Sequence, residues 1–274
     1  MSAPAKEFVM TEADFRFISQ SIYRNCGIVL GDHKRDMVYS RLARRIRALG
    51  LRSFEEYIGL IESNHEEEHH HFVNAITTNL TAFFREAHHF EFLKKQLIPE
   101  LKRLHTQDKR IRLWSAGCST GMEAYSIAMT LYGQFPSNWD VKILATDLNS
   151  DVLDVAKSGI YALEQTTGLD KEKLQQFFRL DSAKDRVRVK DKLKQMITFK
   201  RLNLLQPWPM AGPFDLIFCR NVVIYFDQKT KNQLIRNFAS LLRPHGYVIL
   251  GHSESMSRAA NLFKPLGSTI YRKL

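Results

Sequence analysis

The sequence predicts an α/β protein in two parts, a helical N-terminal segment followed by a doubly wound, largely parallel sheet. Three observations predict it. From residue 111 onward, apolar runs at 111–116, 141–147, 214–219 and 246–251 alternate with stretches of helical period, the pattern of parallel strands linked through helices. Before residue 110 the alternation is missing, and apolar residues recur at spacings of three and four, as on one face of a helix. Between the first strand and its helix lies a small-residue turn, Gly117-Cys118-Ser119-Thr120-Gly121. The domain boundaries predicted are 1–90 for the helical domain and 91–274 for the sheet domain, with an insertion at about 158–202.

Taken in order, Phe15, Ile18, Ile22 and Tyr23 mark the first helix, and Gly27 with the turn at Gly31-Asp32 ends it. The next helix is rich in arginine, carries an apolar stripe of Met37, Val38, Leu42, Ile46 and Leu49, and stops at Gly50. Phe54, Tyr57, Ile58 and Ile61 mark a third. In the glutamate-rich stretch that follows, His65 and His69 stand at i, i+4; that spacing can hold a metal, but the pair reads as solvated and no metal is expected. Asn79-Leu-Thr-Ala-Phe-Phe-Arg85 combines a polar corner (Asn79, Thr81), two aromatics and a cation, which marks it as a site segment; its plain structural alternative is a helix start with Thr81 as cap and Phe83 and Phe84 in the core. Pro99 sits near the start of a long basic helix that leads into the first strand. Within the insertion, Arg186–Lys190 alternates with period two, and Met196–Lys200 is expected to pair with it across a turn at Lys192–Gln195, forming a small antiparallel sheet. A terminal strand at Ser268–Arg272 closes the main sheet through a late hairpin.

Composition narrows the function. With 274 residues and 44% hydrophobic content the chain can build real cores. Neither a signal peptide nor an apolar run near the ~20 residues of a membrane span is legible. Cys26, Cys118 and Cys219 lack C-x-x-C spacing, which predicts a reducing, cytoplasmic setting and no structural zinc. The formal net charge of +11 peaks between His33 and Ser53. There Arg41, Arg44, Arg45 and Arg52 recur at helical spacings, a candidate docking face for something acidic. Without interleaved aromatics or a nucleic-acid motif, an acidic protein is favoured over nucleic acid.

The chemistry concentrates beyond strand ends. A strand, a glycine turn and a helix N-terminus let backbone N–H groups approach a ligand, and Asp147 ends the second strand, where a carboxylate can accept from a ribose diol. Together they suggest a nucleoside-bearing cofactor. The same turn matches the G-x-S-x-G elbow of serine hydrolases, with Asp215 and His252 following in hydrolase order. Against it, no strands precede the elbow, and Asp147 has no role there. The third glycine of a dinucleotide fingerprint is missing, and no Gly-Lys-[Ser/Thr] follows to make a P-loop. A buried strand at Phe214–Cys219 delivers Arg220, Asn221 and Tyr225 beyond its carboxyl end.

Four ordered motifs, Asn79-Leu-Thr-Ala-Phe-Phe-Arg85, Ala116-Gly-Cys-Ser-Thr-Gly121, Phe218-Cys-Arg-Asn-Val-Val-Ile-Tyr-Phe-Asp227 and Gly251-His-Ser-Glu254, resemble those of the CheR family, the chemotaxis receptor glutamate O-methyltransferases. The resemblance runs from about residue 8 to the C-terminus. Where the family commonly reads Glu-Glu-Pro-Tyr-Ser, this chain has Met122-Glu123-Ala124-Tyr125-Ser126, which keeps the second acid. The resemblance implies a Rossmann-like S-adenosylmethionine-dependent methyltransferase fold with a helical N-terminal domain. It implies a cofactor site lined by Asn79, Thr81, Arg85, Gly117, Glu123, Asp147, Asn203, Leu204, Arg220 and Asn221. Asp147 would take the ribose hydroxyls and Asn203-Leu204 would flank the adenine. Arg85 and Tyr225 would sit nearest the transferred methyl and the incoming carboxylate. S-adenosylhomocysteine would be the product, and the partner would be the cytoplasmic, glutamate-rich helical region of chemoreceptors.

The insertion would be the family's β-subdomain, which in some members binds a receptor's C-terminal peptide; the turn at Asp181–Asp185 lacks the glycine-rich loop of those members, so a tail-independent member is expected. Neither direct membrane insertion nor nucleic-acid binding is expected. The alternative from another class is a non-catalytic regulatory module that binds S-adenosylmethionine or a nucleotide and docks through its basic helix.

Overall fold

The computed structural model describes residues 6–63, 65–256 and 261–274. The chain forms two compact units. The first extends to Thr78 and takes in Tyr225–Asp227; the second comprises Asn79–Ile224 and Gln228–Leu274. Residues 79–90, grouped with the helical domain on sequence, fold with the sheet.

The first unit holds α1 (Glu12–Cys26), α2 (Arg35–Ala48), α3 (Phe54–Glu62) and α4 (Glu66–Ile76). Thr11 caps α1 reciprocally: its hydroxyl accepts the Asp14 N–H at 3.1 Å, and Asp14 accepts the Thr11 N–H at 2.7 Å. Gly27 ends the helix at φ 67°, a conformation that costs glycine little. The core is Phe15, Ile18 and Ile22 of α1, Val38, Leu42 and Ile46 of α2, Phe54, Tyr57 and Ile61 of α3, and Phe72, Val73 and Ile76 of α4. Two members of the predicted stripes stay exposed, Leu49 beyond the end of α2 and Tyr23, whose hydroxyl donates to Asp227 at 2.6 Å. Ile28 bridges Phe226, and the Val29 N–H donates to the Tyr225 carbonyl at 2.8 Å. Strand-like pairing thus ties 225–227 to this unit.

The basic face of α2 is largely used inside the unit. Arg41 donates through Nη1 to the carbonyls of Ala75, Ile76 and Thr77 at 3.2, 2.8 and 2.8 Å, satisfying acceptors that a helix end leaves open. Arg45 grips Glu68, with Nε at 2.8 and 3.0 Å from the two carboxylate oxygens and Nη2 also bonded. The Tyr57 hydroxyl donates to the same carboxylate at 2.8 Å. Glu68 is 2% exposed. Arg44 and Arg52 are exposed. His65, considered as a ligand on sequence, accepts the Glu68 N–H and caps α4.

Burial alone would raise the Glu68 carboxyl, but the bonds from Arg45 and Tyr57 outweigh it and hold its pKa below the ordinary 4.5. A depressed folded-state pKa contributes stability that is complete above the unfolded value and is lost as pH falls through the folded one. Arg45→Met, which leaves the carboxylate buried and unpaired, should cost about 3 kcal/mol in urea denaturation. Stability should also fall more steeply below pH 4.5 in the native protein than in Glu68→Gln. Equal acid sensitivity of the two would rule the pair out as a main support of this unit.

The second unit opens with a loop. Asn79–Arg85 does not start a helix: Phe84 and Glu86 have φ of 51° and 58°, outside the helical region. Phe83 is buried as expected and Phe84 half-buried. Helix begins at α5 (His88–Phe92), passes through a π turn (Leu93–Leu97) and continues as α6 (Ile98–Leu104). Pro99 therefore lies inside the helical run, and the widened turn before it accommodates a ring that would crowd a regular helix.

There follow β1 (Arg110–Ala116), α7 (Met122–Leu131), β2 (Asp140–Asp147), α8 (Ser150–Ser158), β3 (Ile160–Ala162), α9 (Lys171–Phe177), β4 (Phe178–Asp181), β5 (Arg186–Val189), α10 (Asp191–Lys194), β6 (Ile197–Arg201), β7 (Phe214–Cys219), α11 (Gln228–Leu241), β8 (Leu242–Leu250), β9 (Phe263–Gly267) and β10 (Ile270–Lys273). The main sheet has the order β6-β2-β1-β7-β8-β10-β9, parallel except for the terminal hairpin. The small sheet, β3-β5-β4, is antiparallel.

The partner expected for 196–200 is corrected. β6 does not pair with β5; it runs parallel to β2, from Ile143 opposite Ile197 to Asp147 opposite Arg201. The short helix α10 separates β5 from β6. Alternation with period two shows which side of a strand is apolar and is silent on its neighbour. Strand order reverses at β1, between β2 and β7, and the crevice beyond the carboxyl ends of such strands is where open α/β sheets bind ligands.

Candidate active site

The turn after β1 requires its glycines. Gly117 and Gly121 have φ of 88° and 86°; a Cβ on the first would lie 2.3 Å from Val222 Cγ2, and on the second 2.7 Å from Ala156 Cβ. The Gly117 and Cys118 N–H groups donate to the Thr146 carbonyl at 2.8 and 2.9 Å, which locks the turn to the end of β2. Asp147 completes the lock. Its carboxylate accepts the Ser119 N–H at 2.7 Å and the Asn149 N–H at 2.9 Å. Burial pushes its pKa up, and these backbone donors oppose the rise. Since a carboxylate offers about four acceptor sites, Asp147 can fasten the turn and still receive a further donor.

Beyond β7, Arg220 is 5% exposed. Its Nη1 donates to Glu123 Oε2 at 3.3 Å, Nη2 lies 3.4 Å from Glu86 Oε2 and donates to the Arg85 carbonyl, and the guanidinium sits over the Phe90 and Phe218 rings. The Ser115 hydroxyl donates to Glu123 at 2.7 Å. Burial raises the Glu123 pKa against the pull of Arg220. Burial also lowers His89, at 0% exposure, to about 4, so its ring is neutral near pH 7. The loop 79–86 is tied in by the Ser119 hydroxyl donating to the Asn79 carbonyl at 2.8 Å, the Phe84 N–H to Ser126 at 2.9 Å, and Arg85 Nη1 to the Leu80 carbonyl at 2.8 Å.

One end of the sheet therefore gathers the loop carrying Asn79, Thr81 and Arg85 with Gly117, Glu123, Asp147, Arg220 and Asn221. Asn203 and Leu204 follow β6 directly, next to the end of β2, where the Leu202 N–H donates to the Asp147 carbonyl at 2.9 Å. Tyr225 belongs to the helical unit, as do the arginines of α2. Three further groups belong to this end of the sheet: the half-buried Glu86 and the buried His89 and Glu254. Each stands in or near a motif, but only the fold shows what it holds. Glu254 accepts N–H groups from Gly251, Asn221 and Ile224.

The hydrolase alternative does not survive. Ser119 donates to a backbone carbonyl, and Asp215, at the opposite end of β7, is occupied by the Arg112 N–H, by His105 Nε2 at 2.7 Å and by Arg243 Nε at 2.7 Å. His252 is exposed. The arrangement does suit a nucleoside cofactor that carries an amino-acid group: a carboxylate for a diol, a glycine cradle, and a buried acid–guanidinium pair. Thr120 Oγ1 and Arg220 Nε are buried without a hydrogen-bond partner among the described residues, as expected where a polar ligand supplies the missing bonds.

Comparison with known proteins agrees with this chemistry. Residues 79–272 match the CheR methyltransferase SAM binding domain, and residues 13–77 match the CheR methyltransferase all-alpha domain. The chain is 46% identical over 273 residues to a chemotaxis protein methyltransferase of Escherichia coli, covering 97% of this chain and 92% of that one. It is 43% identical over 271 residues to chemotaxis protein methyltransferase 2 of Pseudomonas aeruginosa, covering 97% and 95%. It is 40% identical over 261 residues to the chemotaxis protein methyltransferase of Borreliella burgdorferi, covering 92% of each. The chain belongs to the CheR methyltransferase family and is an S-adenosylmethionine-dependent methyltransferase.

Proposed function

We propose that the protein methylates glutamate side chains in the cytoplasmic helical region of chemoreceptors, with Asp147 receiving the cofactor ribose and Asn203-Leu204 flanking its adenine. The observation that carries the reading is the pairing, at the switch point of the sheet, of a buried acceptor carboxylate with the buried Glu123–Arg220 pair. The two suit a ribose diol and an amino-acid zwitterion respectively. The bound cofactor supplies an activated methyl group on sulfonium sulfur. A receptor glutamate, with an ordinary pKa of about 4.3, arrives at neutral pH already ionised. The chain has no proton to remove from it. Its work is to strip water from the carboxylate and align it, and orientation of that kind can supply roughly 7–11 kcal/mol. Arg85 is the proposed cation for that carboxylate and Tyr225 the proposed hydroxyl donor. A purely regulatory role is disfavoured by these two residues, whose chemistry serves an incoming carboxylate. Among the described residues no helix is long and apolar enough to cross a membrane, and the reading has the protein meet receptors from the cytoplasm.

Docking falls to the basic residues in and just beyond α2 that stay exposed. Arg44 and Arg52 are exposed, whereas Arg41 and Arg45 are committed to α4. The short helical turn at 182–184 between β4 and β5 is read as a minor contact, so methylation does not depend on a receptor tail.

Three measurements test this reading. Asp147→Ala should weaken S-adenosylhomocysteine binding by about 1–3 kcal/mol in calorimetry; full affinity in a folded variant would remove the ribose role. Tyr225→Phe should lower turnover with cofactor affinity near that of the native enzyme, and undiminished turnover would take the hydroxyl out of the reaction. Arg44→Glu combined with Arg52→Glu should slow receptor methylation and leave S-adenosylhomocysteine binding intact. That deficit should shrink as salt rises, since the Debye length is only about 8 Å at physiological ionic strength. Receptors with and without their tails should be methylated equally in the same assay. A salt-independent deficit, or none, would demote the two arginines to solvated surface.

A further inference from the structure

The loop that carries Arg220 and Asn221 is held by a single carboxylate. Glu254 is 5% exposed and accepts the N–H groups of Gly251 at 2.6 Å, Asn221 at 2.9 Å and Ile224 at 3.1 Å, with the Val222 N–H also directed at it. That set fills the roughly four acceptor sites a carboxylate has. Asn221 adopts φ 59°, a left-handed conformation that asparagine reaches more readily than most side-chain-bearing residues and that its surroundings here hold in place. The enforcement is visible at Gly251, where a Cβ would lie 2.6 Å from Asn221 Nδ2, 2.8 Å from Asn221 N and 2.8 Å from Glu254 Oε2. The chain leaving β7 and the chain leaving β8 are thus pressed together with no room for a side chain, and Glu254 fastens the contact. Arg220 leaves β7 just ahead of this bracket and must reach Glu123 and Glu86 from it.

We propose that Glu254 is a positioning residue for cofactor binding, fixing the backbone direction from which Arg220 and Asn221 meet the ligand. The inference rests on the reading of those two residues as part of the cofactor site. Simple reinforcement of a loop would change stability alone; positioning changes affinity, and changes it through Asn221.

The test is a double-mutant cycle on S-adenosylhomocysteine affinity, measured by calorimetry on the full chain with Glu254→Gln, Asn221→Ala and the double variant. A glutamine places an amide NH₂ against backbone donors, so Glu254→Gln should weaken binding about tenfold or more. Asn221→Ala should also weaken binding, and the double variant should be little worse than the poorer single one. Ser253→Ala, on an exposed neighbour in the same motif, should leave affinity unchanged. Should Glu254→Gln fail to fold, Gly251→Ala disturbs the same bracket from the other side and should weaken binding in the same way. Additive effects, or native affinity in a folded Glu254→Gln or Gly251→Ala protein, would overturn the positioning role. Native affinity in Asn221→Ala would instead overturn the assignment of Asn221 to the cofactor site.

Discussion

A guanidinium shut away from water is the constraint that orders the sheet unit. An unpaired ion in such a place costs several kcal/mol, so Arg220 has to be surrounded, and the groups that surround it come from separate parts of the chain. Glu123 stands in the first turn of α7, Glu86 and the Arg85 carbonyl come from the loop after residue 78, and Phe90 and Phe218 offer ring faces from α5 and β7. Satisfying one charge therefore registers the opening loop, the glycine-turn helix and the strand at the switch point against one another. His89, neutral and fully buried beside Glu86, adds no competing charge.

Much of this could be read from the residues. Strands β1, β2, β7 and β8 announced themselves as apolar runs, and the turn at 117–121 announced itself by glycine. Asp147 was legible as a strand-end carboxylate. Its bond from the Asn149 N–H is local, two residues along the chain. Its bond from the Ser119 N–H was not legible, because that donor sits in the turn after β1, which only the parallel register of β1 and β2 brings to the end of β2.

What escaped the sequence has a physical explanation in each case. The loop 79–86 carries residues acceptable in a helix, and the positive φ values at Phe84 and Glu86 come from tertiary bonds, not from propensity. β6 alternates as convincingly for one partner as for another, so its place beside β2 depends on the crossover through α8 and the small sheet. Glu254 looked like one more acid in a motif, since nothing local shows that its acceptors would be filled by the chain leaving β7. Arginines on α2 were the hardest to assign: spacing puts them on one helical surface but cannot show that α4 folds back to claim two of them.

That last feature bears on how far the composition can be trusted. Of the basic residues in and around α2, Arg41 spends its donors on the end of α4, and Arg35, Arg45 and Arg47 face Glu12, Glu68 and Glu7. A formal excess of +11 therefore describes the electrostatics of the protein at long range, where internal pairs and loose charges sum alike. Within a contact distance of an acidic partner the field is set by the few uncommitted cations, and the selectivity of an encounter depends on where those few project.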